Sequence, residues 1–176
     1  MHIFSKKYLN DLISEAKRSS RKRQHRNIHS SFDDRCQRLM NAIGTDSYIA
    51  PHRHQIDPKS ECLIAAKGLF AAIIFSDDGV VEQIECFGSE KYKNVSLGLE
   101  LPSGTWHTVL ALKEGSILFE VKEGPFDSSK AKEYAPWAPP EESIESRNYL
   151  CQLRDLCERW LVENFDKQTL KTFSLD

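Results

Sequence analysis

This 176-residue chain predicts a mainly β protein, an antiparallel sandwich or barrel of the jelly-roll kind with one helix at each end. Three observations carry that expectation. Between residues 47 and 121 the chain breaks into short runs rich in β-branched and aromatic residues, separated by turn-forming clusters. No helical stretch intervenes there, and strands that follow one another without crossover helices pair antiparallel. Amphipathic spacing of the helical kind occurs only before and after that region.

In chain order, residues 5–19 place Tyr8, Leu9, Leu12, Ile13 and Ala16 on one helical face, with Lys6, Lys7, Glu15 and Lys17 between them. Ser5 is a candidate N-cap. The dense basic run Arg21-Lys22-Arg23-Gln24-His25-Arg26 follows. Arginine forks match phosphate and carboxylate oxygens, but charge runs are usually solvated, and a connector is the expectation here. Residues 32–42 are polar with few apolar anchors and read as a loop with at most a short helix. Strands are expected at 48–50, 62–67, 69–75, 80–87, 95–101, 106–112 and 117–121. Ser76-Asp77-Asp78-Gly79 and Lys113-Glu114-Gly115-Ser116 read as hairpin turns. Pro136, Pro139 and Pro140 forbid regular structure, so that segment should drape over the β region with Trp137 as its apolar anchor. From Glu141 to Phe165 an apolar stripe at three- and four-residue spacing predicts a long amphipathic helix, packed on the β region or on a second subunit. One globular domain results, with a helix and polar connector over 1–46, the β region over 47–125, and flap plus helix over 126–176.

Composition narrows the functional class. With 40% hydrophobic and 28% charged residues the chain is ordinary for a soluble globular protein. It has no apolar run near the ~20 residues of a membrane span and no signal-like start, so a cytoplasmic protein without a membrane partner is expected. A formal net charge of −2 argues against a nucleic-acid partner. Five cysteines, an odd number with no CxxC pair, are expected to be reduced.

The chemistry concentrates in two stretches. His52-Arg53-His54 on an extended strand sends both imidazoles to one side and Arg53 to the other. Asp57-Pro58-Lys59-Ser60 then turns the chain so that Glu61 opens a returning strand. Downstream, Pro102-Ser103-Gly104-Thr105-Trp106-His107 turns tightly, and His107 enters its strand on the same face as Val109 and Ala111. If the stretches meet, three imidazoles and a carboxylate converge. That set suits iron(II), nickel, zinc or manganese, with metal–nitrogen distances near ~2.0–2.2 Å. Four protein ligands on a six-coordinate ion leave positions open for a substrate. The competing reading is a metal-free pocket in which the histidines are simply hydrogen-bonded.

His-x-His, Glu61 with Gly68 seven residues on, and Pro102-x-Gly104-x-x-His107 together resemble the two-part signature of the cupin superfamily. Glu61 follows His54 at a longer interval than the three or four intervening residues usual there, and Ala111 stands where Asn is frequent. A closer resemblance runs from the N-terminal helix to about Glu141. Arg26-Asn27-Ile28-His29, Gln37-Arg38, Ser47-Tyr48-Ile49 leading into Pro51-His52-Arg53-His54, Trp106-His107, residues 119–125 and Trp137-Ala138-Pro139 look like the WbuC family of cupin-fold metalloproteins. The resemblance implies a cupin-type barrel, one metal ion held by His52, His54, His107 and Glu61, and a context of bacterial surface polysaccharide synthesis. It does not supply a reaction.

Further candidates complete the expected site. Tyr48, by period two from His52, is a candidate proton donor, together with Glu120, Lys122 and His29 as acid, base or polar contacts. Arg26, Asn27 and Arg38 are candidate substrate contacts. The expectation is a metal-dependent enzyme acting on a small polar molecule, a sugar or nucleotide-sugar. A non-catalytic sugar-binding module and an iron(II) dioxygenase are the alternatives. An exposed stripe on the last helix and free strand edges point to a homodimer.

Overall fold

Ser5 starts the first helix. Its hydroxyl oxygen accepts the Tyr8 N–H at 3.1 Å, satisfying a first-turn donor, and α1 runs over Lys6–Arg18. The computed structural model describes residues 1–174. Ten strands follow among those residues: β1 (Arg23–Asn27), β2 (Cys36–Ile43), β3 (His52–Arg53), β4 (Glu61–Lys67), β5 (Leu69–Phe75), β6 (Val81–Gly88), β7 (Gly98–Leu101), β8 (Trp106–Ala111), β9 (Ser116–Glu123) and β10 (Glu133–Tyr134). Two helices end the chain, α2 (Glu145–Asn164) and α3 (Lys167–Ser174).

The strands form two antiparallel five-stranded sheets, ordered β1-β2-β9-β4-β7 and β10-β3-β8-β5-β6. Among the described residues no ladder joins the sheets, so the expected barrel is an open two-sheet jelly roll. Turn chemistry sets its corners. Gly68, the single residue between β4 and β5, has φ +86°, and a Cβ there would lie 2.0 Å from Ser116 Oγ. At the β5–β6 corner the Ser76 N–H donates to the Val80 carbonyl at 2.9 Å.

Three apolar layers follow from strand alternation. Phe70, Ala72, Phe87, Val109 and Ala111 of the second sheet meet Ile43, Leu63, Ala65 and Leu118 of the first in the interior. On the outer face of the first sheet, Leu12 and Ala16 of α1 cover Met40, Ala42 and Ile117. The other face of the second sheet carries Ala71, Ile73, Cys86 and Leu110, which are covered by Leu150, Leu153 and Cys157 of α2. Trp137 of the flap stacks at a tilt on Phe75, with 5.0 Å between ring centroids, and edge-on to Trp106 at 6.2 Å. All five cysteines are free, and burial pushes the Cys157 thiol up to about 12.

Four expectations are corrected. The basic run is strand β1 rather than a connector, and residues 36–43 form β2 rather than a loop or helix. Neither strand alternates polar with apolar residues in the usual way, because the sheet face they share lines a polar cavity. Residues 48–50 form no strand, because side chains take up their backbone groups. The Tyr48 carbonyl accepts from Arg23 Nη1 at 2.8 Å, the Ile49 carbonyl from Thr108 Oγ1 at 2.6 Å, and the Ala50 N–H donates to Glu141 Oε1 at 3.3 Å. Finally, the stripe of α2 is covered within the chain, which leaves free strand edges as the remaining invitation to a second copy.

Leu153 measures how much that covering contributes. It is 2% exposed at the centre of the α2 contact, whereas Val162 on the same helix is 66% exposed. Leu153→Ala should lower the free energy of unfolding by about 2–5 kcal/mol. Val162→Ala should change it by less than about 0.5 kcal/mol. Urea denaturation reads both, and equal effects would mean that α2 does not dock as described.

Candidate metal centre

Two sheets deliver the ligands. On the second sheet, His52 of β3 lies directly opposite His107 of β8 in the ladder, and His54 follows at the end of β3. Glu61 comes from the first sheet, where it opens β4 opposite Leu101 on one side and Lys122 of β9 on the other. Gly104 ties the two sequence motifs together. At φ +79° its N–H donates to the His54 carbonyl at 3.1 Å, and a Cβ there would lie 2.4 Å from Gln55 Oε1.

His52, His54, Glu61 and His107 are all buried, and one candidate ligand atom from each lies within 4.8 Å of the others. Their tautomers follow from their partners. The Nδ1–H of His52 donates to the Ala50 carbonyl at 2.9 Å, that of His107 to the Thr105 carbonyl at 2.8 Å, and that of His54 to the Ala131 carbonyl. A carbonyl only accepts, so each ring is protonated at Nδ1 and presents a bare Nε2. Glu61 Oε2 is 3.4 Å from Nε2 of both His54 and His107. Three nitrogen lone pairs and a carboxylate aimed at one point repel one another in a buried site; Lys122 meets two of the four groups, and a single divalent cation would fit the whole set.

The charges around the cluster favour that state. Burial would raise the Glu61 carboxyl, but the Lys122 ammonium at 2.7 Å holds it well below the usual carboxylate range. Burial, aided by Lys132 and His107, keeps His52 well below the usual imidazole value and therefore neutral. Lys122 Nζ also donates to His54 Nε2 at 3.0 Å.

Beside the cluster opens a cavity of about 410 Å³. Strand parity decides which residues line it. Register pairs Asn27 with Leu39, Leu39 with Glu120 and Glu120 with Leu63, and the next row pairs Gln37 with Lys122 and Lys122 with Glu61. Odd residues of β1, β2 and β4 and even residues of β9 therefore share the cavity face. Asn27, His29, Glu120 and Lys122 of the expected set line it. Glu120 accepts from Asn41 Nδ2 at 2.9 Å, and burial together with the Glu61 charge raises its carboxyl. His29 Nδ1 lies 3.0 Å from both the backbone N–H and the carbonyl of Arg38, and its buried Nε2 has no partner among the described residues. Gln37 braces the adjoining loop by donating to the Ser31, Phe32 and Asp34 carbonyls at 3.3, 3.1 and 2.7 Å.

Other expected residues stand elsewhere. Tyr48 packs with Tyr149 in the layer under α2 and donates its hydroxyl to the Pro139 carbonyl at 2.8 Å, because no strand carries the period-two relation back from His52. Arg26, on the even face of β1, pairs with Glu15 of α1 at 2.6 Å and lies over Tyr8. Arg38 Nε donates to the Cys36 carbonyl at 3.1 Å on the face away from the cavity. Arg53 points outward, pairing with Glu133 at 2.9 Å over the Trp106 ring. The cavity also takes in Arg21, Arg23, His25, Asn41, Lys132 and Glu141, which the sequence reading did not single out as site residues. Parity along a strand at 23–27 would have found Arg23 and His25. Nothing in the pattern around Lys132 marks it.

A family model described as "Domain of unknown function (DUF6016)" matches residues 4–87. No curated protein sequence matches the chain. Among solved structures, protein SO0799 from Shewanella oneidensis is similar over 85% of this chain and 94% of its own, with a TM-score of 0.55 at 11% identity. KdgF from Halomonas sp. matches 61% of this chain and 83% of its own, with a TM-score of 0.46 at 13% identity. Oxalate decarboxylase from Bacillus subtilis matches 64% of this chain, which spans only 27% of that longer one, with a TM-score of 0.47 at 16% identity. At these identities the likeness is one of fold. The chain has a cupin-type fold whose buried His52, His54, Glu61 and His107 fit a single metal ion.

Proposed function

We propose that this protein is a metal-dependent enzyme acting on a small polar molecule, with His52, His54, His107 and Glu61 as the metal ligands. The observation that carries the reading is the locked tautomer of three buried imidazoles, whose bare nitrogens and one carboxylate converge beside a polar cavity. A bound divalent ion would supply Lewis acidity toward a substrate oxygen. About 410 Å³ lies toward the lower end of the roughly 300–1,000 Å³ typical of small-molecule sites, which favours a single sugar ring or an acid of that size over a whole nucleotide-sugar.

The chain's own groups are suited to proton work. Glu120, with its carboxyl raised by burial and the Glu61 charge and its orientation fixed by Asn41, is suited to take up a proton and return it. Lys122 neutralises Glu61, and its charge also acts on Glu120. His29 offers an unpartnered Nε2 at the cavity wall, as donor or acceptor according to its tautomer. Tyr48, committed to Pro139, takes no part in this scheme. Bacterial surface polysaccharide synthesis is the context suggested by the WbuC resemblance alone.

Metal content tests the reading first. Untagged protein purified without chelator should carry near-stoichiometric metal by elemental analysis, and His52→Ala and His107→Ala should each lose most of it while keeping a native circular dichroism spectrum. Absence of metal in the wild type, or unchanged content in both variants, would sink the proposal. Iron together with oxygen consumption would favour an oxidative reaction, and zinc without turnover a binding module.

Acid should displace the ion in a particular order. Metal binding needs neutral imidazole, and His52 stays neutral to well below pH 6.5 because burial depresses its pKa. Protonation of His52 therefore opposes metal binding only as pH falls below 6.5 through its depressed value. A His52 ring that titrates at or above pH 6.5 by NMR in the metal-free protein would contradict the burial assigned to it. Long-range proton–nitrogen NMR provides an independent check, with Nδ1–H expected for His52, His54 and His107.

A further inference from the structure

The cavity contains four basic side chains, and two of them are already committed. Arg23 is bound to Glu141 and to the Tyr48 carbonyl, and Lys122 to Glu61 and His54. Arg21, in the turn before β1, and Lys132, just before β10, line the cavity from its exposed side and have no ion-pair partner among the described residues. His25 lies on the same wall. Its imidazole is pushed down by burial and then by Arg21, Lys132 and Arg23, so these charges act on one shared region. Of the three cavity carboxylates, Glu61 and Glu141 are tied to basic groups, and Glu120 is held by Asn41. A divalent ion at the histidine cluster would add further positive charge to the same space.

Resting on the metal-centre reading above, we infer that Arg21 and Lys132 form an anion subsite. It takes the carboxylate or phosphate of a single-ring ligand whose other end reaches the His52, His54, His107 and Glu61 cluster. The substrate class is thereby a sugar acid or sugar phosphate rather than a neutral sugar. Guanidinium forks match both oxyanions bidentately, and a lysine lining the same cavity adds a mobile point charge. A nucleic-acid backbone is a poor alternative occupant. The chain carries a net charge of −2, and these cations line a cavity rather than a continuous outer stripe.

The test is calorimetric titration of the metal-loaded protein with glucuronate, glucose 6-phosphate and glucose. At least one anionic sugar should bind at least about tenfold more tightly than glucose, and which one does so distinguishes carboxylate from phosphate. Arg21→Gln and Lys132→Gln should each weaken that ligand roughly ten- to hundredfold, the range for charge-assisted hydrogen bonds. For Arg21→Gln metal content and glucose affinity should stay unchanged, and Arg21→Lys should retain part of the preference. Anionic sugars binding no better than glucose, or failing to bind at all, would overturn the inference, as would a preference that survives in the double variant. Chelator-stripped protein separates the two readings. An anion preference lost on stripping assigns the anion to the metal and removes the subsite. An Arg21-dependent preference in protein that never carries metal keeps the subsite and removes the metal centre.

Discussion

Three imidazole N–H groups donating to three backbone carbonyls decide what this fold can do. The acceptors belong to Ala50, Thr105 and Ala131, in three separate irregular segments: the approach to β3, the Pro102–His107 turn, and the segment before β10. Each bond fixes both a tautomer and a ring orientation, and together they aim three lone pairs at one point. The rest of the structure keeps those carbonyls in register. Thr108 holds the Ile49 carbonyl, Gly104 holds that of His54, and Arg53 clamps β10 through Glu133.

Within the sandwich, one continuous sheet face changes character over a few residues. Leu118 belongs to the dry core, while Glu120 and Lys122, two and four residues further along the same face of β9, belong to the cavity. Such a face is expensive. His29 Nε2 and Asn41 Oδ1 are buried without partners, and each orphaned group costs about 1–3 kcal/mol. Burial elsewhere offsets this, because α1 and α2 close the outer faces of both sheets and convert a two-layer sandwich into four layers.

The same division explains which elements could be read from sequence. Strands β4, β5, β6, β8 and β9 carry apolar residues on at least one face and announce themselves by composition. Strands β1 and β2 turn their polar residues to the cavity, and Gln24 and Arg26 keep even the other face of β1 polar. Their periodicity was present but carried by the wrong residue types. The histidines were readable because two short motifs fix their spacing locally. Arg21, Lys132 and Asn41 reach the cavity only through tertiary pairing, and Tyr48 was misassigned because side-chain hydrogen bonds replace a ladder at 48–50.

The interval before Glu61 shows which spacings physics constrains. His54 and Glu61 stand on different sheets, so the residues between them form a crossing loop, pinned where Lys59 reaches Asp57 and the Pro125 carbonyl. A surface loop absorbs an extra residue or two at little cost, since closure entropy rises only slowly with length. The interval from Glu61 to Gly68 has no such freedom. Strand β4 fills it completely, from the ladder partner of Lys122 to a corner that only a residue of positive φ can turn against Ser116. A shift of one residue there would carry Glu61 to the opposite face of the sheet, away from the histidines. The carboxylate is thus positioned from its C-terminal side, by register and by glycine, and its distance in sequence from His54 has no bearing on whether it reaches the cluster.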